Sequence, residues 1–329
     1  MNLVRMGILG AAQIVPAAVV RPGRLMAREL RIEALAARDP VRARRFARRF
    51  AIPRVAASYQ ELVEDAGIEA VYNPLPNSLH AEWTIRALEA GKHVLCEKPL
   101  GCNALQAQDM NEAAIQAGRV LMEGFHYRHH PLARRMGEIV AGGELGELRH
   151  LEAHFCAPLW NRSDIRYQFA LGGGATMDLG CYCINLIRFL AGAEPEVVGA
   201  RALLASPQVD RYMEADFRFA NGATARMTCS LWSRAWLRTW ALARGTTGEM
   251  RVRLPFQPHH FLRRLAVRSQ RGARVERISR ERSYSFQLRA FAAAARGEGP
   301  VVTTAEDAAA NLRVLDAVYT KAGLKPRGA

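Results

Sequence analysis

The chain has 329 residues, half of them apolar and 23% charged, which at roughly 150 residues per domain predicts two domains with a real hydrophobic core. That composition excludes disorder, no apolar run reaches the roughly 20 residues of a membrane span, and six cysteines without CxxC or even spacing indicate neither a disulfide framework nor a zinc site. A net charge of +15 raises the question of a polyanionic partner, yet all basic residues except Lys92, Lys98, Lys321 and Lys325 are arginines, a skew that reflects codon composition rather than a partner.

In chain order, Leu3 to Leu9 reads as a buried strand. Met6 to Val20 imitates the apolar core of a secretory leader, but Gln13 and Pro16 interrupt it. Arg31 to Ala37 is the next strand. Asp39-Pro40 supplies an N-cap and a proline at the first helical position, opening Val41 to Phe50. Ser58 and Glu61 form a capping box for a further short helix. Glu69 to Tyr72, His93 to Cys96 and Arg119 to Glu123 read as strands, with helices over His80 to Ala90 and Asn103 to Ala117. Strands alternating with helices predict βαβ units, right-handed crossovers and a doubly wound parallel sheet, over residues 1–124.

Residues 125–329 read differently. Val197 to Ala205, Tyr212 to Phe219, Ala223 to Leu231, Leu237 to Ala243, Glu249 to Leu254 and Ala273 to Ile278 read as strands. Asn221-Gly222 is a hairpin signal. Several strands without intervening helices predict a second, α+β domain on a large, mostly antiparallel open sheet. Helices over Pro131 to Val140, Ala175 to Leu190, Phe286 to Arg296 and Ala305 to Ala322 are expected to flank it.

The first strand runs into Gly7-Ile8-Leu9-Gly10-Ala11-Ala12-Gln13-Ile14. A glycine turn between a first strand and a helix lets backbone amides approach a pyrophosphate, although a full GxGxxG is absent. An NAD site usually ends its second strand in an acid that accepts from the ribose 2′-hydroxyl. Here Ala36-Ala37 is followed by Arg38, and a guanidinium pairs with a 2′-phosphate where a carboxylate would repel it. The expectation is therefore NADP rather than NAD. Pro74-Leu75-Pro76-Asn77-Ser78-Leu79-His80 and Glu97-Lys98-Pro99 each follow a strand, at the carboxyl edge where open α/β sheets bind ligands. Lys98 offers a compact, rotatable ammonium in a chain that otherwise uses arginine. After Gly172-Gly173-Gly174, Asp178 and Tyr182 are four residues apart on one helical face.

These segments, together with Tyr127-Arg128-His129-His130-Pro131 and the run from Gly172 to Tyr182, resemble the Gfo/Idh/MocA oxidoreductases. Within the family they are most similar to the dimeric dihydrodiol dehydrogenase and xylose dehydrogenase branch. The resemblance implies an N-terminal Rossmann domain that binds NADP and a C-terminal domain that binds substrate and another subunit through its sheet, giving a homodimer or homotetramer. It implies cofactor contacts from Gly7 and Gly10 to Ile14, Arg38, Pro74, Leu75, Asn77, His80, Glu97 and Lys98. Lys98 matches the catalytic lysine, Asp178 the aspartate of a DxGxH motif, and Tyr182 stands where many members carry histidine. A tyrosine with an ordinary pKa near 10 is a poor base at pH 7 unless a nearby cation, here Lys98, lowers it. Arg128, Trp160, Arg166 and Tyr284 are candidate substrate contacts.

The expected function is hydride transfer between NADP and a secondary alcohol or carbonyl of a sugar, polyol or cyclic diol. A redox-assisted glycosidase with tightly bound NAD and a non-catalytic cofactor-sensing regulator are the alternatives. Two arginine clusters, Arg38 to Arg54 and Arg251 to Arg289, lack the interleaved aromatics of a nucleic-acid reader. The expectation is a cytoplasmic enzyme without a metal, a specific nucleic-acid partner or a membrane.

Overall fold

A computed structural model describes residues 3–260 and 264–328; of the residues weighed above, Arg263 lies outside these. The chain forms two compact units. One comprises Met1–Gly101, Leu105–His129 and Tyr284–Ala309, and the other Cys102–Ala104, His130–Ser283 and Ala310–Ala329.

The first unit runs β1 (Val4–Leu9), α1 (Arg21–Leu25), β2 (Leu30–Ala36), α2 (Pro40–Phe50), β3 (Arg54–Val55), α3 (Tyr59–Glu64), β4 (Ala70–Asn73), α4 (His80–Glu89), β5 (His93–Cys96), α5 (Ala104–Ala117) and β6 (Leu121–Glu123). All six strands are parallel, in the order β3-β2-β1-β4-β5-β6. The order reverses between β1 and β4, and such a switch point opens a ligand crevice at the strands' carboxyl ends. Local chemistry sets the helix starts as the sequence requires. Asp39 Oδ1 accepts from the N–H groups of Val41 and Arg42, and Ser58 Oγ accepts from Glu61 N–H. The Glu61 carboxylate reaches one residue further back than a simple capping box, to Ala57 N–H.

The second unit runs α6 (Pro131–Ala141), β7 (Leu148–Cys156), α7 (Cys181–Ala191), β8 (Glu196–Ser206), β9 (Val209–Arg218), β10 (Thr224–Ser230), β11 (Thr239–Gly245), β12 (Glu249–Arg253), β13 (Arg264–Ser269) and β14 (Gly272–Glu276). Helices α8 (Ser283–Ala295) and α9 (Ala305–Lys321) close the chain order. Eight strands form one sheet in the order β14-β13-β12-β11-β7-β10-β9-β8. Neighbours are antiparallel except β7 and β10, which pair in parallel. Leu151, Ala153, Met213, Ala215, Phe217, Ala225, Met227, Ala241 and Ala243 are buried, and α7 packs against β7 and β10. Glu152 on β7, Glu214 on β9 and Arg226 on β10 alternate with these, face the other way and stay at least partly accessible.

Three expectations need correction. Helix α8 does not flank the antiparallel sheet: Leu288, Phe291 and Ala292 are buried with Met6, Ile8, Leu35 and Tyr72 in the core of the parallel sheet. Its apolar face is the same whichever sheet it covers, so periodicity alone could not assign it. The boundary expected after residue 124 accordingly becomes a discontinuous division, with Tyr284–Ala309 returning to the first unit. Strands β7 and β13 were not foreseen. In β7 the partly accessible His150 and Glu152 and the buried His154 alternate with Leu151, Ala153 and Phe155, and these polar residues mask the apolar period.

Candidate active site

In the first unit the glycine turn begins at Gly10, which has φ +88°, a left-handed conformation that favours glycine. Its N–H donates to Ala36 O at 2.6 Å, tying the turn to the end of β2. A Cβ there would stand 3.0 Å from the Leu75 side chain, so the turn adjoins the 74–80 segment. Gly7 has another use. It lies inside β1, where a Cβ would stand 2.7 Å from Leu62 Cδ2, so its smallness admits α3 against the sheet.

The end of β2 carries two arginines, one of them unforeseen. Arg38 is exposed, and Arg42, in the first turn of α2, donates through Nη2 to Ala11 O at 2.8 Å. Asp39, the carboxylate between them in the chain, is occupied in capping α2. The N-cap pattern already placed residue 42 on the first turn above residue 38, which was signal enough to find it. A turn of backbone amides next to two guanidiniums, with the local acid engaged elsewhere, fits a dinucleotide bearing a 2′-phosphate.

Carboxyl to β4 and β5, the 74–80 segment and the Glu97-Lys98-Pro99 turn are locked together. His80 is buried, with Nδ1 at 2.9 Å from Pro99 O and Nε2 at 2.8 Å from Leu75 O. Burial pushes its pKa down, and the Lys98 charge adds to that. A neutral imidazole donates to only one of the two carbonyls. Asn73 Nδ2 donates to His80 O and Thr84 Oγ1, and Glu123 Oε1 accepts from Leu100 N–H at 2.9 Å. Tyr72 OH donates to Glu97 Oε1 at 2.6 Å, and both are buried. Burial, then the Glu97 charge, raises the tyrosine pKa well above its usual value. Lys98 itself is half-buried. Arg128 lies 3.8 Å from Asp307, and Tyr284 packs against the His126 ring, centroids 4.1 Å apart.

In the second unit, Asp178 Oδ2 accepts from Arg166 Nε at 2.8 Å, and Arg166 Nη1 also reaches Asp164 Oδ1 at 3.1 Å. The Asp178 charge, opposed by burial, raises the Arg166 pKa. Tyr182, one turn on, is buried with its ring 5.5 Å from Phe155 and 5.4 Å from Phe256. These two phenylalanines were missed: Phe155 lies on the unforeseen β7, and nothing in the sequence links Phe256 to either. Trp160 is 64% exposed and joins Trp232 and Trp236 in a cluster of tilted indoles, centroids 4.2 to 5.7 Å apart. Thus the structure pairs Arg166 with Asp178 and places Trp160 among other tryptophans. Among the described residues no group of three or more His, Cys, Asp and Glu side chains is placed to hold a metal.

Residues 4–125 match the family model for the oxidoreductase family with an NAD-binding Rossmann fold, and residues 133–251 match the GFO/IDH/MocA C-terminal domain. The chain belongs to the Gfo/Idh/MocA oxidoreductase family. It is 35% identical to a dTDP-3,4-didehydro-2,6-dideoxy-alpha-D-glucose 3-reductase of Actinomadura kijaniata, over 98% of this chain and 96% of that one. To a D-xylose 1-dehydrogenase (NADP(+)) of Haloferax volcanii it is 34% identical over 96% of each. The crystal structure of KijD10, a 3-ketoreductase from Actinomadura kijaniata, in complex with NADP and TDP-benzene superposes with a TM-score of 0.88, at 33% identity, covering 97% of this chain and 98% of that one. This oxidoreductase thus has full-length relatives that act on sugars. Among the described residues no helix is long and apolar enough to cross a membrane.

Proposed function

We propose that this family member is an NADP-dependent dehydrogenase or reductase that interconverts a secondary alcohol and a carbonyl on a sugar, polyol or cyclic diol. One observation carries the reading. The KijD10 ketoreductase has been solved with a lysine replaced by alanine or glutamate and with a tyrosine replaced by phenylalanine, and those two positions are separated by the same number of residues as Lys98 and Tyr182. When bound, NADP accepts or supplies the hydride.

The chain's own residues bind, orient and move the proton. Arg38, with Arg42 beside it, takes the 2′-phosphate, while the turn from Gly10 to Ile14 presents amides to the pyrophosphate. Pro74, Leu75, Asn77, His80 and Glu97 shape the nicotinamide end. Lys98 orients the reacting oxygen and places a positive charge near it. Tyr182 donates a proton to that oxygen in reduction and takes it in oxidation. Asp178 has a narrower role than acid or base: its carboxylate is held by Arg166, so it accepts a hydrogen bond and orients. Arg128, Trp160 and Arg166 contribute to substrate binding. The accessible face of the eight-stranded sheet, with the pairs Arg201–Glu214 and Arg226–Asp216, is the surface assigned to a second copy of the chain. We place the enzyme in the cytoplasm.

A screen of aldoses, polyols, cyclic diols and deoxysugar nucleotides, following absorbance of the reduced nicotinamide with NADP and with NAD, tests the reading. Stoichiometric turnover of added NADP with at least one class is expected. Bond cleavage without net cofactor turnover would replace it by a redox-assisted glycosidase, and binding without turnover by a regulator.

A further inference from the structure

A fully buried ion pair lies in the second unit, apart from the groups assigned above. Asp210 on β9 and Arg327 beyond α9 are both shut off from solvent. Arg327 Nη2 donates to Asp210 Oδ1 at 3.1 Å, Nε to Gly173 O at 2.7 Å and Nη1 to Lys325 O at 2.9 Å. Its guanidinium also lies over the rings of Tyr319 and Phe169, at 4.1 and 4.9 Å. Asp210 Oδ2 accepts from both the N–H and the hydroxyl of Thr176 at 2.7 Å, and Oδ1 accepts from Tyr319 OH at 3.0 Å. These donors match the roughly four lone-pair positions of a carboxylate.

Stability alone does not account for such a pair, because well-packed apolar residues in its place are often as stable or more so. Its partners do. Gly173 and Thr176 bracket the turn that leads into Asp178 and Tyr182. A Cβ on Gly173 would stand 2.7 to 2.8 Å from the carbonyls of Ile165, Arg166 and Gln168, and one on Gly174 2.2 Å from Asp210 Oδ1. Gly174 has φ +139°, its N–H donates to Arg166 O, and its carbonyl accepts from Asp178 N–H. The glycines therefore join the loop that carries Arg166 to the turn that carries Asp178, and the ion pair holds that junction from below.

We propose that Asp210 and Arg327 are positioning residues, which touch no substrate but fix the 172–178 turn so that Asp178 meets Arg166 and Tyr182 keeps its setting. This rests on the roles given to Asp178 and Tyr182 above. A purely structural pair would change the melting temperature but not the turnover or pH profile of the folded enzyme.

The test uses the full chain and three variants, Arg327→Met, Arg327→Lys and Tyr319→Phe, with two readouts. The first is amide hydrogen exchange over residues 172–182. The second is kcat, KM and the pH–rate profile with NADP and the sugar that the wild type turns over. Arg327→Met is expected to speed exchange in that segment by about tenfold. A catalytic group misplaced by about 1 Å costs on the order of 10² in rate, so kcat should fall by about 10- to 100-fold, with KM for NADP nearly unchanged and the pH–rate profile displaced. Arg327→Lys should restore part of this, keeping the charge but losing the fork. Tyr319→Phe, which removes one donor and keeps the ring, should show a smaller change of the same kind and serves where Arg327→Met does not fold. Exchange and kcat within about twofold of wild type in the folded variants, or faster exchange with an unaltered kcat and pH profile, overturns the proposal. Failure of the catalytic roles themselves would show separately, as full activity in Tyr182→Phe.

Discussion

The two clusters of candidate residues are built on opposite plans. In the first unit the groups come from short contiguous segments at the carboxyl ends of parallel strands, and mostly near neighbours hold them. His80 bridges to a carbonyl five positions away and to another nineteen away. In the second unit Asp178 and Tyr182 follow a turn whose braces come from 34 to 154 positions away. A strand end in a doubly wound sheet is a ready-made site, because sheet order alone creates the crevice. A helix start beside an antiparallel sheet is not, and it needs dedicated side chains to fix it.

The sharpest way to break this comparison is to remove the two groups proposed to act on the reacting oxygen. Lys98→Met keeps much of the stem's bulk, and Tyr182→Phe removes only a hydroxyl. Each should fold and bind NADP yet lose about 10²- to 10⁴-fold in turnover. Groups acting as one unit fail together, so the double variant should be little worse than either. If Tyr182→Phe keeps more than about a tenth of wild-type turnover with chemistry rate-limiting, another group or a water carries the proton.

Cofactor choice probes the first unit alone and should give a smaller effect. A charge-assisted hydrogen bond contributes about 1.5–3 kcal/mol, or roughly 10- to 100-fold in affinity. Arg38→Ala should raise KM for NADP by that factor and hardly alter KM for NAD. Arg42→Ala should do the same more weakly, since its guanidinium also binds Ala11 O. Equal losses with both cofactors would show that the end of β2 does not read the 2′-phosphate.

The smallest expected effect concerns the second unit's dependence on distant braces. Asp316 on α9 accepts from Ala104 N–H at 3.0 Å, and burial pushes its pKa up from 3.8 to about 6. Between those values the folded chain binds more protons than the unfolded one, so this residue's contribution to stability falls as pH rises through that window. Asp316→Asn should raise the melting temperature at pH 7 while leaving it nearly unchanged at pH 4. Thermal scans at the two pH values check this, and a lower melting temperature at pH 7 would contradict it.

The chain itself determined everything that depends on neighbours along it. Caps at Asp39 and Ser58, the Asn221-Gly222 hairpin, the βαβ rhythm and the Glu97-Lys98-Pro99 turn could be read because each is a local preference of backbone and side chain. Motif order added the resemblance to the family, and with it the proposal that Lys98 and Tyr182 serve one reaction. Tertiary structure alone decided the rest. Helix α8 covers the parallel sheet because an apolar face does not specify which sheet buries it. Strand β7 is central although polar residues line one of its faces. Phe155 and Phe256 meet around Tyr182, and Arg327 closes over Asp210, through contacts that leave no periodic trace. Local sequence fixes dihedral preferences and burial patterns, whereas which distant side chains satisfy one buried carboxylate is settled only when the whole unit packs.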